Sequence, residues 1–515
     1  MGLTSRSSRL GRRALLRWGA LAAGAAVVGP IVQACQQPAP TPQIITKEVI
    51  VEKPVDRVVT KEVIVEKPVE RVVTKEVTVS KEILITPTPR LKSKVTGNLQ
   101  IVQQRGFNPL QTTFIHNLVL RTSAESGWPL DKSYVEAFTA GSNIYEKMAA
   151  QVAANDSPDL FIGNEDTFQM WNLKVIQPVD DVVAWAEKAY GKTAPLQKLN
   201  NFIDGKWYAV PTWIATGGWW ARKSWFDEIS WDVKKQYSLQ EWLDTCIKVT
   251  NVEKKRWGFG NTVNRSGDGN TNVGFPVYAA GGRLTTADNK VAFNSPETVA
   301  GYEWIKDIYT SPKYQAAMPP GINSWTDPSN NEAYLAGTIG FSSNGGTMFA
   351  TAMARAKEIA QDTYLVPHPT GPAGKKDSLI VAGPYGFHNH IFRGAKNTDA
   401  AKEMLQTLLS KENQIAIWDN SPGLAMPAYE WGWDEKTFQQ VPNNIIGLSK
   451  ALVYSDKVFN NFQPGNQPKL WINAVGSENV LTDTMAAILK GTAVKDAVAD
   501  AHARMVKIHE KFEGR

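Results

Sequence analysis

From about residue 97 onward, short apolar runs alternate with amphipathic stretches. Residues 98–103 read as a first strand. Residues 159–162, Asp-Leu-Phe-Ile, predict a short buried strand, with Ser-Pro before them and Gly-Asn-Glu-Asp after. Helical patterns fall at about 142–154, 239–249, 296–310, 331–336, 399–410 and 475–490. Residues 175–179 follow a further helix. This alternation predicts an α/β fold with mostly parallel sheets. A body of about 420 residues is large for one core and natural for two lobes.

The first 96 residues have a different texture. Arg12 and Arg13 precede an Ala/Gly-rich apolar run that ends in Val32-Gln-Ala-Cys35. A charged start, a short apolar run and a small residue before the cut point form an export signal. The apolar run is too short for a permanent bilayer span. The paired arginines resemble a twin-arginine signal. The Val-x-Ala-Cys end resembles a bacterial lipobox, which would make Cys35 an acylated first residue; Gln33 departs from that pattern. Residues 45–58 then recur almost word for word at 59–72, and a decaying copy starts at Val73. Pro54 and Pro68 interrupt helix and central-strand hydrogen bonding alike. So few short copies do not make a solenoid. The segment reads as an extended charged tether, with a self-associating stalk as the alternative. Residues 36–90 would reach at most ~180 Å at full extension.

Composition narrows the function. The net charge is +6, but five arginines and no acid lie within residues 1–34, which leaves the remainder at +1. A near-neutral body gives no electrostatic case for nucleic acid as a partner. Two cysteines exclude a disulfide framework and a Cys-rich zinc site. Cys246 lies among apolar neighbours in a helical pattern and reads as a buried, inert thiol.

Five motifs then occur in a telling order. They are Ser157-Pro-Asp-Leu-Phe-Ile162, Asp204-Gly-Lys-Trp-Tyr-Ala-Val-Pro211, the 331–341 stretch, the 398–413 helix and Gly423-Leu-Ala-Met-Pro427. Together they resemble extracellular solute-binding proteins of the maltose-binding type. The resemblance implies a two-lobed periplasmic-binding-protein type II fold with an inter-lobe ligand cleft. Lobe 1 would comprise 95–211 with 384–425, and lobe 2 would comprise 212–383 with 426–515. Residues 1–34 would be the signal and 35–94 the tether. Strand crossovers would lie near Pro211, near Gly383-Pro-Tyr385 and near 422–427. The chain would be a monomeric receptor that delivers solute to the permease subunits of an ABC transporter, with no catalytic residue, metal or cofactor.

The ligand is the open part. The body carries 17 of the 18 Trp, and flat aromatic faces suit sugar C–H faces. The resemblance places Asp166, in the Gly163-Asn-Glu-Asp166 loop, on sugar hydroxyls. It places Trp471 as a stacking aromatic, and Asn270 and Asn272 at polar cleft positions. A carboxylate used by some relatives is replaced by Ala215, for which Trp213 and Trp219 are substitutes. An aromatic platform of relatives falls at Gly346, beside Asn344. Arg105, after the first strand, and Tyr385, at the second crossover, complete the candidates.

Other readings are a receptor for a peptide or polyamine, a secreted glycosidase and an adhesin built on the stalk. Glu165 and Asp166 are the acids nominated for an amine ligand. A glycosidase needs two carboxyls about 5–10 Å apart, and no motif nominates them. His388 and His390 fall on one face of a strand, where a polar network is favoured over a metal site. Residues 371–378 lack phosphate-loop spacing.

Overall fold

In the computed structural model, residues 92–136, 144–371, 385–436, 438, 441–454 and 470–513 are described. They belong to one structural unit, Ile85–Arg515. The signal with Arg12, Arg13 and Cys35, and the repeat tether, lie outside the described residues.

Alternation decides the first strand. In β1 (Leu99–Arg105), Leu99, Ile101 and Gln103 point inward while the residues between them are more exposed. Its parallel neighbours are β2 (Leu130–Glu136) and β3 (Leu160–Gly163). The crossover between β1 and β2 is the helix Pro109–Ser126, capped by Asn108 and opened by Pro109. β3 is buried along its whole length, as its unbroken apolar run requires.

The remaining strands are the minor hairpin β4 (Phe202–Ile203) and β5 (Lys206–Trp207), then β6 (Val210–Ala215), β7 (Gly217–Arg222), β8 (Trp257–Phe259), β9 (Ile339–Gly345), β10 (Thr363–Val366), β11 (Tyr385–Ile391) and β12 (Ala425–Pro427). One sheet has the order β12-β6-β11-β3-β1-β2, and the other β10-β7-β9-β8. Each carries its own lobe. The expectation of mostly parallel sheets is corrected. β11, β6 and β12 pair antiparallel in the first sheet, and only β8 with β9 is parallel in the second. β11, returning from the opposite lobe, enters the first sheet between β3 and β6 in reverse.

The first crossover sits later than Pro211. Pro211 lies inside β6, opposite His388, where the register with β11 slips between Phe387 and His388. That bulge absorbs the missing N–H, so the proline does not end the strand. Thr216 alone separates β6 from β7. Its N–H donates to Leu424 O at 2.8 Å, and its O accepts from Gly346 N at 2.6 Å. Its hydroxyl meets Ser449 Oγ at 3.0 Å. Three distant chain segments therefore meet at one residue.

The later boundary also shifts. β12 pairs with β6 through Pro427, and Tyr429 donates its hydroxyl to Pro211 O at 3.1 Å. Trp418, Trp431, Trp433 and Phe438 then form a ring cluster on the same lobe. Lobe 1 thus continues past 425. The chain joins lobe 2 with the helix Asn443–Val453, whose Asn444 donates to Leu365 O of β10. The expected 475–490 helix is two, Leu470–Ser477 and Val480–Leu489, broken at Asn479, which adopts a left-handed conformation at φ 58°.

Candidate functional site

A cleft of about 370 Å³ opens between the two sheets. That lies at the lower end of small-molecule sites. Its lobe 1 wall begins where β1 ends. Gln103 is 1 % exposed, and its Nε2 donates to Thr112 O at 3.0 Å. Its Oε1 has no partner among the described residues. Gln104 also lines the cleft, donating to Glu165 Oε1 and accepting from Asn164 N. Asn108 caps its helix and also donates to Asn420 O, fixing the loop against lobe 1.

The aromatic part of this wall is Trp213 with Phe387, stacked at 4.8 Å and 19°. Trp213 is 1 % exposed, and its indole N–H lacks a partner among the described residues. Phe387 and Phe107 are only half-buried, so they offer the more accessible faces.

The lobe 2 wall is the start of the helix Gly267–Ala279, together with Asp327, Asn331 and Asn344. Ser266 caps that helix by accepting from Gly269 N at 2.8 Å. Asp268 and Thr271, three apart, share the cleft face. The Asp268 N–H donates to Asp327 Oδ2 at 3.2 Å, and Asn330 Nδ2 donates to Asp268 Oδ2 at 2.9 Å. Burial, then the neighbouring Asp327 charge, pushes the Asp268 carboxyl well above the usual carboxylate range. Burial likewise raises Asp327, against hydrogen bonds from the helix start.

The sequence candidates scatter around this cleft. Trp213 and Asn344 line it. Asn344 is held by Asn331, to whose Oδ1 its amide donates. Asp166 sits at the lobe junction and is not among the lining residues. It caps the helix Thr167–Asn172 through Gln169 N at 2.7 Å and accepts from Asn473 Nδ2 of lobe 2 at 2.8 Å. Burial raises its carboxyl to about 6, against those two bonds. Glu165 is raised by burial too. Arg105 pairs with Glu136 at 3.2 Å, over the Tyr134 ring, outside the cleft lining. Tyr385 begins β11, its backbone opposite Ala215.

Four expectations are corrected. Trp471 is fully buried in the lobe 2 core, donating to Asn289 Oδ1 at 3.0 Å. Trp219 is stacked on Phe341 in the same core. Asn270 ties its helix to Gly476 O, and Asn272 bonds Thr262 O. The helix begins at Gly267, and its turn points 268 and 271 at the cleft and leaves 270 and 272 to other neighbours. Gly346 carries no platform because a Cβ there would stand 2.4 Å from Gly423 O. Ala215 is packed between Tyr385 and Ala425 in the sheet.

His388 and His390 are both buried, their rings edge-to-face at 5.3 Å. The Nε2 atoms meet Glu165 O and Thr167 Oγ1, each at 3.0 Å. Burial pushes His388 down to about 4, so both rings are neutral members of a polar layer beneath the Glu165–Asp166 loop. Cys246 is buried, as its apolar neighbours predict.

Sequence reasoning missed Gln103, Phe107, Phe387, Asp268 and Asp327. Gln103 had a signal, being a polar residue at an inward position of an alternating strand. Asp268 follows Ser266-Gly267, a helix-start pattern.

No curated protein sequence matches the chain. Solved structures do share its fold. Maltose-bound MalE3 of T. maritima superposes with a TM-score of 0.67 at 16% identity, covering 79% of this chain and 99% of that one. The GacH receptor of Streptomyces glaucescens, solved unliganded and with acarbose, gives 0.63 at 19%, covering 80% and 98%. A sugar transporter from Arthrobacter chlorophenolicus with bound laminaribiose gives 0.65 at 16%, covering 80% and 99%. These likenesses fix the two-lobed binding-protein architecture. A family pattern matches residues 133–429, more than half of the sequence, and shows that the chain belongs to the bacterial extracellular solute-binding proteins, a family of binders and not of enzymes.

Proposed function

We propose that the protein is the extracytoplasmic receptor of an ABC importer, capturing a carbohydrate between its lobes and handing it to the permease. The observation that carries the sugar reading is the lobe 1 wall. The Phe387 ring, backed by Trp213, stands beside the amide groups of Gln103, Gln104 and Asn108. A sugar needs that pairing of flat apolar face with polar edge groups. Maltose, acarbose and laminaribiose in the structures of similar fold support the same class. Thr216, as sole link between β6 and β7, suits hinge closure, provided the ligand binds the closed form better.

Export through Arg12-Arg13, a lipid anchor at Cys35 and the 36–90 tether would hold this body off the outer face of the cytoplasmic membrane. A thermal-shift screen of mono- and oligosaccharides tests the reading. At 100 times its Kd a sugar adds about 2.7 kcal/mol. That moves the melting point by about 3 °C for a body of this size. Phe387→Ala should abolish the shift. Silence across a broad sugar panel would discard the carbohydrate.

A further inference from the structure

The cleft is acidic and uncompensated. Asp268 and Asp327 both line it, half-buried, and no Lys, Arg or His stands among the described lining residues. Burial first, and then the neighbouring Asp327 charge with no counter-charge in the lining, makes Asp268 hold its proton strongly. Part of this arrangement serves the fold. Asp327 accepts from the Asp268 N–H and so caps the helix start. The Asp268 carboxyl has no such duty, with Asn330 Nδ2 as its one hydrogen-bond donor among the described contacts.

Two buried amide acceptors, one on the facing wall and one beside Asp268 but outside the cleft lining, lack a hydrogen-bond partner among the described residues. Gln103 lines the facing wall, almost fully buried and fixed by Thr112, with Oε1 unpaired. Asn330 is fully buried beside Asp268, and its own Oδ1 is also unpaired. Both unpaired atoms are acceptors. Buried acceptors without donors are costly, so a donor-rich ligand group is favoured there. A metal ion is disfavoured, since no cluster of three or more His, Cys, Asp or Glu able to hold one occurs among the described residues. An ammonium group carries three donors and a positive charge, and it meets both demands.

We propose that Asp268 and Asp327 form a subsite for a protonated amine, and that the captured solute is an amino-bearing saccharide rather than a neutral one. This rests on the sugar reading of the same cleft and narrows it. Phe387, Gln104 and Asn108 of lobe 1 take the ring, and the two carboxyls of lobe 2, with Gln103 across the cleft, take the nitrogen. Closure of the lobes brings the two halves of the ligand site together.

The test is calorimetric titration of the full chain at pH 7.5 with matched pairs: glucosamine against glucose, and the deacetylated chitosan disaccharide and trisaccharide against cellobiose and cellotriose. Free putrescine is a further arm. The amine-bearing member should bind at least about tenfold more tightly than its hydroxyl partner, as a close, partly desolvated charge pair allows. Asp268→Asn should remove that preference, and Asp268→Glu should keep it. Equal affinity within each pair would overturn the amine subsite and leave the sugar reading standing. A preference that survives Asp268→Asn would overturn the residue assignment. Binding of putrescine but of no saccharide would support the carboxyl pair and sink the sugar. Binding of neither class would sink both.

Discussion

Replacing Gly346 by alanine tests whether the lobes are held together at the junction around Thr216. Gly346 has φ −63°, a conformation open to alanine, so backbone strain plays no part. The obstacle is space. An added Cβ would lie 2.4 Å from Gly423 O and 2.9 Å from Leu424 Cα. Ordinary carbon–oxygen contacts are about 3.3 Å. The end of β9 and the approach to β12 must therefore part by nearly an ångström. Overpacking of that kind costs about 1–3 kcal/mol. The same movement stretches the bonds that Thr216 makes to Gly346 N and Leu424 O, each worth about 1 kcal/mol. Gly346→Ala should then lose about 2–4 kcal/mol in urea unfolding followed by tryptophan fluorescence. Gly447→Ala is the matched control. Gly447 lies inside the helix Asn443–Val453, exposed, with nothing within 4 Å of an added Cβ. That change should stabilise by about 0.5–1 kcal/mol. If Gly346→Ala unfolds within 0.5 kcal/mol of the parent, the junction is looser than drawn and the argument fails.

Other expectations concern pH. Asp166 is raised to about 6, so the folded state holds its proton more tightly than the unfolded chain does, and stability falls as pH climbs from the 3.8 of a free aspartate through 6. The loss is on the order of 3 kcal/mol. Because Asn473 bonds the ionised form, Asn473→Ala should cost about 1.5–3 kcal/mol at pH 8 and clearly less at pH 4.5; equal costs at both would count against the inter-lobe bond. His388 runs the opposite way. Its folded pKa lies below the 6.5 of a free imidazole, so the unfolded chain takes up the proton first, and stability is lost as pH falls from 6.5 toward 4. The loss is about 3 kcal/mol. His388→Gln should flatten that acid limb in urea titrations, and an unchanged limb would refute the assignment.

Elements with strong local signals were legible. The helix Leu239–Val249 is bounded by the Ser238–Glu241 capping box, and the expected span matches the observed one. The order of the five motifs carried the fold, because each marks a strand or helix end that the two-lobed architecture reuses. Pro211 misled, because the pairing with β11, which slips at that point, decides whether a proline ends the strand. Tryptophans misled in a different way. Trp219 and Trp471 have the chemistry of a stacking platform, but which face of an element looks into the cleft is set by tertiary packing. The Asp268–Asp327 pair was invisible for the same reason. Its members are brought together by the contact between a helix start and the turn before another helix, and neither local sequence refers to the other.

The order of strands in the first sheet also governs how the protein is made. Gly163 donates to the side chain of Asn389 across 226 residues of chain, and β11 must slot between β3 and β6, both synthesised long before it. Until Tyr385–Ile391 has left the ribosome, β3 and β6 each present an unpaired edge. Contacts this remote slow folding, because the loop must close before the pairing stabilises it. The nascent chain is thus exposed to association with its neighbours for most of its synthesis. A product cut short before β11 should aggregate instead of forming a free first lobe.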